Sequence, residues 1–272
     1  MKADYHLHTS FSDDSIYPME QLVFDAIELG LDEICITDHV DYGIKYDHDD
    51  PNKPEFCVLN VDYPAYFKTL DRLCVQYKKQ ITIRKGLEFG IQAHTISRYE
   101  KLFESYPLDF VLLSVHQIKD LEFWTQDFQK GKTQEQYNKE YYDTLYDLVK
   151  NFKHYSVLAH MDLIVRYDQK GRYPFENIKP QVEKILKQVI ADNKGIEVNT
   201  SSFQYGLDDL MPSRQILKLY HNLGGMIITI GSDAHQKQYV ANQIEFVKEQ
   251  LKDIGFTHFH TFEKMKPIAH EL

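Results

Sequence analysis

His6-Leu7-His8 and Asp233-Ala234-His235 are two pairs of metal-ligating side chains at i and i+2, and Asp38-His39 is an adjacent pair. On a strand, residues i and i+2 point to the same side, so His6 and His8 can grip one ion while Leu7 packs opposite, and Asp233 pairs with His235 in the same way. Glu88, His116 and His160 add donors, and Asn199 adds a polar group. Imidazole and carboxylate without thiolate suit zinc, iron or manganese. Four or five histidines with three or four carboxylates exceed what one four-coordinate ion uses, so two or three ions are expected. A lone histidine at a strand end is most often an ordinary hydrogen-bonded residue; the joint placement carries the metal reading.

These residues share one kind of position. Each closes a short β-rich run: Ala3 to His8, Glu33 to Thr37, Ile81 to Glu88, Phe110 to His116, Tyr155 to His160, Gly195 to Asn199, and Met226 to Gly231. A longer helical pattern follows each run, as in Leu22, Val23, Ala26, Ile27 and Leu29 after Pro18, or Val182, Ile185, Leu186, Val189 and Ile190 after Pro180. Proline in the first turn, with Gly30 or Gly195 just past the end, is the expected punctuation. Seven βα units without a Gly-rich phosphate fingerprint predict an α/β parallel barrel rather than a dinucleotide-binding sheet, with its site at the carboxyl ends of the strands. Thr257 to Phe262 is an eighth strand or an added edge. No linker composition marks a boundary, so residues 1–272 are read as one domain.

With 272 residues, 43% of them hydrophobic, the chain can bury a sizeable core, which argues against disorder. Its formal charge of -10 disfavours binding to nucleic acid or anionic membranes, and the longest apolar runs are too short to cross a bilayer. Cys35, Cys57 and Cys74 cannot all pair and show no CxxC spacing, so reduced thiols and a cytoplasmic location are expected, with Cys35 a small core residue. In that compartment Asn199-Thr200-Ser201 is no glycosylation acceptor. Tyr137, Tyr141, Tyr142 and Tyr146 fall at helical spacing and read as a packing face. His48, His154, His221, His258, His260 and His270 read as solvent-facing, as does His94.

His6-Leu7-His8-Thr9, Thr37-Asp38-His39, Gly86-Leu87-Glu88, Ser114-Val115-His116, Ala159-His160 and Gly231-Ser232-Asp233-Ala234-His235 resemble, in order and over almost the whole chain, the motifs of the polymerase and histidinol phosphatase (PHP) superfamily. The segments Ser114–Asp120, Phe123-Trp124, Phe128–Gly131 and Ala159–Arg166 are similar to its monofunctional histidinol-phosphate phosphatases. The resemblance implies a distorted (βα)7 TIM-like barrel with a trinuclear site of divalent ions, zinc first, with manganese or iron as alternatives. It implies that His6, His8, Glu88 and Asp233 hold one ion, that Glu88 bridges to a second completed by His116 and His160, and that Asp14, His39 and His235 hold the third. Asp13 is the alternative to Asp14.

The activity implied is hydrolysis of L-histidinol phosphate, a step of histidine biosynthesis, by a metal-bridging hydroxide, with Asp233, His235 and Glu88 as the catalytic residues. Cations lower the pKa of the attacking water, anchor the phosphoryl oxygens and neutralise the leaving alkoxide. A metal-held water, Asp233 or a nearby histidine supplies the leaving-group proton. Arg166 is the candidate for a bidentate phosphate contact. Asp41 to Phe67 and the Trp124 loop are expected to wall the substrate's imidazole and amino groups. Where the subgroup often carries a basic residue after the sixth-strand asparagine, this chain has Phe203-Gln204-Tyr205. The competing activities are a PHP-type phosphodiesterase or exonuclease, another small-molecule phosphatase, and an amide or lactone hydrolase. The partner expected is a small phosphate ester, and the oligomeric state is open.

Overall fold

In a computed structural model describing residues 1–272, the seven β-rich runs form parallel strands β1 (Ala3–Leu7), β2 (Glu33–Ile36), β3 (Thr82–Gly90), β4 (Phe110–Ser114), β5 (Val157–Leu158), β6 (Gly195–Asn199) and β7 (Ile228–Gly231). Neighbours follow chain order, and every pairing is parallel. The ring closes where Leu7 bridges Ala234: His8 N donates to Ala234 O at 3.0 Å and Asp233 N to His6 O at 2.8 Å. Strands covered on both faces read as continuous apolar runs, and Ile34-Cys35-Ile36 and Val111-Leu112-Leu113 are fully buried. The expected α/β barrel of seven strands is therefore the fold.

Outside it lie α1 (Met19–Glu28), α2 (Tyr63–Tyr77), α3 (Ile96–Ser105), α4 (Gln134–Asn151), α5 (Phe175–Ala191), α6 (Arg214–Asn222) and α7 (Ile244–Ile254). In α1, Pro18 stands at the N-cap, Leu22, Val23 and Ala26 face the strands, and Gly30 takes φ 72 after the end. Leu29 lies past the last turn and is exposed. On α4, Tyr137, Tyr141 and Tyr142 are buried and Tyr146 packs at the core edge, as the spacing predicts. No helix is long and apolar enough to cross a membrane.

Four local expectations are corrected. Helix α5 begins after Pro174, and Pro180 lies inside it; its side is exposed, so the acceptor left without its N–H faces water. Gly195 opens β6 instead of capping α5, because a Cβ there would collide with Ile227; Asn193, at φ 54, takes the left-handed position after the helix. Strand β2 breaks at Thr37-Asp38 and resumes as His39-Val40, paired with Glu88 and Phe89 of β3. The last run forms a separate antiparallel hairpin, His258–Glu263 with Lys266–Glu271, at the amino ends of the strands. There Phe262 N donates to Tyr5 Oη at 2.7 Å, Lys264 N to Asp109 Oδ1 at 3.0 Å, and Ile228 N to His260 Nδ1 at 3.3 Å.

Candidate metal centre

Five imidazoles converge on Glu88, at the carboxyl end of β3. His160 Nε2 lies 2.8 Å from Oε1 and His116 Nε2 3.1 Å; His6 Nε2 and His39 Nδ1 lie 3.1 Å and His8 Nε2 3.4 Å from Oε2. Ser114 Oγ donates to Oε1 at 2.6 Å. His6 comes from β1, and His8, His116 and His160 stand just past the ends of β1, β4 and β5. Asp233 Oδ1 is 3.3 Å from His8 Nε2 and 3.6 Å from His6 Nε2. Asp14 Oδ2 is 3.1 Å from His235 Nε2 and 3.5 Å from His39 Nε2, whereas Asp13 pairs with Lys45. All nine expected ligand positions thus meet at one rim, with Asp14 rather than Asp13 in the cluster. His160 and Asp233 take positive φ, 23 and 56, a backbone cost tolerated where it aims a functional group.

Burial favours the neutral form of each group, yet at all of these but His8 the opposing charges outweigh it. The surrounding imidazoles hold Glu88 and Asp233 well below the usual carboxylate range. Glu197, Glu88 and Asp233 hold His6 well above the usual imidazole range, and Asp41 and Glu88 do so for His116. His8 falls to about 3 through burial and the neighbouring His39 and His235, so it is a neutral donor. His235 rises to about 9 beside Asp14 and Asp233. His8 Nε2, His39 Nδ1 and His235 Nε2 are buried without hydrogen-bond partners although carboxylate oxygens lie nearby. Inward-facing nitrogens of this kind, interleaved with carboxylates, fit divalent cations of the zinc class.

Two buried carboxylates escaped the sequence reading. Glu197 Oε1 is 2.6 Å from His6 Nδ1 and its Oε2 accepts from His160 N at 3.0 Å; Asp41 Oδ1 is 2.8 Å from His116 Nδ1. The alternation that singled out Asp233 and His235 points to both, since Glu197 precedes Asn199 and Asp41 follows His39 by two residues. Asp38 turns away from the cluster and accepts from Thr9 N, Thr9 Oγ1 and Ser12 Oγ at 2.7–2.8 Å. Asn199 brackets Asp233, donating from Nδ2 to Oδ2 at 3.4 Å.

Arg166, on a short 3-10 turn after β5, is buried. Its Nη2 donates to Ser201 Oγ at 2.6 Å and reaches Asp233 Oδ2 at 3.4 Å, its guanidinium lies 4.0 Å over the Tyr205 ring, and its Nε has no partner. A cleft of about 540 Å³ opens above the cluster, walled by Ile44, Lys45, Val58, Glu122, Trp124 and Tyr205. Both expected wall loops are there, although Tyr63–Phe67 of the first belongs to α2. His94, beside Asp120, lies outside the cleft lining. His48 is exposed as expected, but His154 packs between Phe103 and Phe152, His221 against Phe256, and His270 against Phe259. His260 accepts from Ile228 N, and His258 is half-buried.

The sequence profile of the PHP domain matches residues 4–201, nearly three quarters of the 272. The chain belongs to the PHP domain family. The chain is 32% identical to histidinol-phosphatase of Lactococcus lactis subsp. lactis over 97% of its length and 96% of that protein's. It is 27% identical to a probable histidinol-phosphatase of Thermotoga maritima, over 93% and 92%. It also superposes, with TM-score 0.84, 31% identity and 98% coverage of both chains, on a crystal structure of the Lactococcus lactis histidinol phosphate phosphatase complexed with zinc, L-histidinol and phosphate.

Proposed function

We propose that this PHP domain is a metal-dependent phosphomonoesterase that hydrolyses L-histidinol phosphate to L-histidinol and phosphate. The observation that carries the reading is the ring of five imidazoles around Glu88 beneath a cleft that Arg166 also lines. The full-length likeness to the Lactococcus lactis enzyme, solved with zinc and both products, supports it. His6, His8, Glu88 and Asp233 hold one ion, Glu88 bridges to a second completed by His116 and His160, and Asp14, His39 and His235 hold a third. Neighbouring donor atoms within each set lie 2.8–3.6 Å apart, which supports closely spaced ions, and His39 Nδ1, 3.1 Å from Glu88 Oε2, ties the third set to the first two. Zinc is the expected ion, with manganese or iron as substitutes in the same donors.

Bound divalent cations supply an activated water, polarise the phosphoryl oxygens and offset charge on the departing alkoxide. The chain's own groups do the rest. Arg166, aligned by Ser201 and Asp233 and stacked on Tyr205, brings its guanidinium fork to the cleft, where it can pair with two phosphoryl oxygens. Tyr205 stands where the subgroup often has a cation, so Arg166 carries that charge alone on this side. Ile44, Val58 and Trp124 form apolar walls, and Glu122 places one carboxylate toward a cationic substrate head. A cytoplasmic location is supported by a biosynthetic reaction on a small diffusible ester and by three free cysteines.

The test is phosphate release by zinc-loaded protein, comparing kcat/KM for L-histidinol phosphate, an aryl phosphomonoester and an aryl phosphodiester. The reading expects L-histidinol phosphate to lead by about a hundredfold or more, since several polar contacts of about 1.5 kcal/mol each distinguish it. Faster diester cleavage would overturn it in favour of a phosphodiesterase.

A further inference from the structure

Two imidazoles of the cluster have ordinary outer partners and a third has none. His8 Nδ1 is 3.3 Å from Ser12 Oγ, His235 Nδ1 is 2.9 Å from Asp233 O, and His160 Nδ1 has none. Only His6 and His116 are backed by a buried carboxylate, Glu197 and Asp41 respectively. Both pairs depend on a strand-end glycine. A Cβ on Gly231 would overlap His6 Cβ and lie 2.6 Å from Glu197 Oε1; one on Gly90 would overlap Asp41 Oδ1 and lie 2.9 Å from His116 Nδ1.

Asp41 is held from three sides. Its backbone N–H donates to Asn60 Oδ1 at 2.9 Å, Oδ2 pairs with Lys45 Nζ at 2.8 Å, and Oδ1 faces His116 Nδ1. Lys45 also pairs with Asp13 at the cleft mouth. Asp41 Oδ1 thus faces the outer nitrogen of His116, while its Oδ2, held by Lys45, is 3.9 Å from His39 Nδ1, so Asp41, His39 and His116 also lie close enough together to share an ion.

We propose that Asp41 is a positioning residue for His116: it keeps a proton on Nδ1, so that Nε2, 3.1 Å from Glu88 Oε1, is the nitrogen that gives up its proton and turns its lone pair to a bound cation. The inference rests on the reading above that His116 is a metal ligand. Histidine ligands need this restraint because an imidazole free to exchange tautomers presents a protonated nitrogen to the ion part of the time. Lys45 and Gly90 make it rigid, the first by anchoring the far oxygen and the second by leaving the space.

Three variants of the full chain test it: Asp41→Ala, Asp41→Asn and, as a control, His116→Ala. Two quantities are read, zinc affinity by competition with a chromophoric chelator, and the His116 tautomer from long-range proton–nitrogen spectra of histidine-labelled zinc protein. Asp41→Ala is expected to lower affinity at the weakened site by about 10–100-fold and to abolish the fixed Nδ1–H signature. Asp41→Asn, whose carbonyl still accepts from Nδ1, is expected to fall between wild type and Ala; it serves alone if the Ala variant does not fold. An unchanged tautomer and affinity within about threefold in Asp41→Ala would overturn the inference. So would equal losses in Asn and Ala with the His116 tautomer intact, which would make Asp41 a direct ligand. Full zinc affinity in His116→Ala would instead overturn the assignment of His116 as a ligand.

Discussion

Replacing Glu88 by glutamine keeps the side chain's shape and removes one negative charge from the centre of the cluster. Glu88 is 1% exposed, so water screens little of what it does. Two unit charges about 4 Å apart at an effective dielectric of about 20 interact by roughly 4 kcal/mol. A divalent ion doubles that charge product, so at about 1.4 kcal/mol per decade the loss is at least about a thousandfold in the affinity of each ion that touches Glu88. The amide also brings an N–H group that Ser114 Oγ, now a donor to Oε1, must rotate to accommodate. The assay is zinc content and zinc affinity of Glu88→Gln by chelator competition, with far-UV circular dichroism confirming the fold. The expected result is a loss of about two ions per chain and turnover lower by at least about a thousandfold, because Glu88 joins two ion sites. Zinc affinity within about tenfold of wild type would refute the reasoning, since no bridging carboxylate could be so dispensable.

Arg166→Lys keeps the charge but loses the fork and the stacking on Tyr205; kcat/KM for a phosphomonoester should fall by about 10–100-fold, and inhibition by inorganic phosphate should weaken in parallel when titrated. Chelator-treated protein should lose turnover, and zinc or manganese should restore it, as followed by phosphate release. In that treated protein the raised pKa of His235, from 6.5 to about 9, contributes stability that is fully present below pH 6.5 and is lost as pH rises through 9, about 3 kcal/mol in all. Urea midpoints across that range should show the decline, and Asp14→Asn should flatten it. Gly231→Ala drives a methyl into His6 and Glu197 and should lower thermal stability by about 1–3 kcal/mol along with zinc affinity, both read on the same preparation by calorimetry and chelator competition.

The strands were legible because a barrel buries both their faces, and Val111-Leu112-Leu113 admits few other readings. Ligands at strand ends were legible for a related reason, since His6, Glu88 and Asp233 interrupt apolar runs with side chains that need partners. Asp41 and Glu197 lay hidden because a carboxylate that supports a histidine has no sequence mark distinguishing it from a solvated acid; its partner comes from another strand. The role of Gly90 and Gly231 was equally invisible, since the space they leave is defined by side chains 49 and 34 residues away, Asp41 to Gly90 and Glu197 to Gly231. The outer histidines were misread for the opposite reason. An imidazole packs well against an aromatic ring, so His154 and His221 found hydrophobic neighbours where polarity alone predicted water.

The seam at Leu7 and Ala234 has a consequence for how the protein comes into being. Protein synthesis delivers β1 early and β7 late, so for most of translation His6 and His8 hang on an open sheet edge with unpaired N–H and C=O groups and only part of a donor set. Asp233 joins that edge through its own backbone N–H to His6 O, which makes the last stitch of the sheet and the arrival of the ligand a single event. Loading therefore belongs to the finished chain. On the ligand assignment proposed above, ions held by residues from both sides of the seam would act afterward as a clasp that keeps the two ends of the barrel from parting.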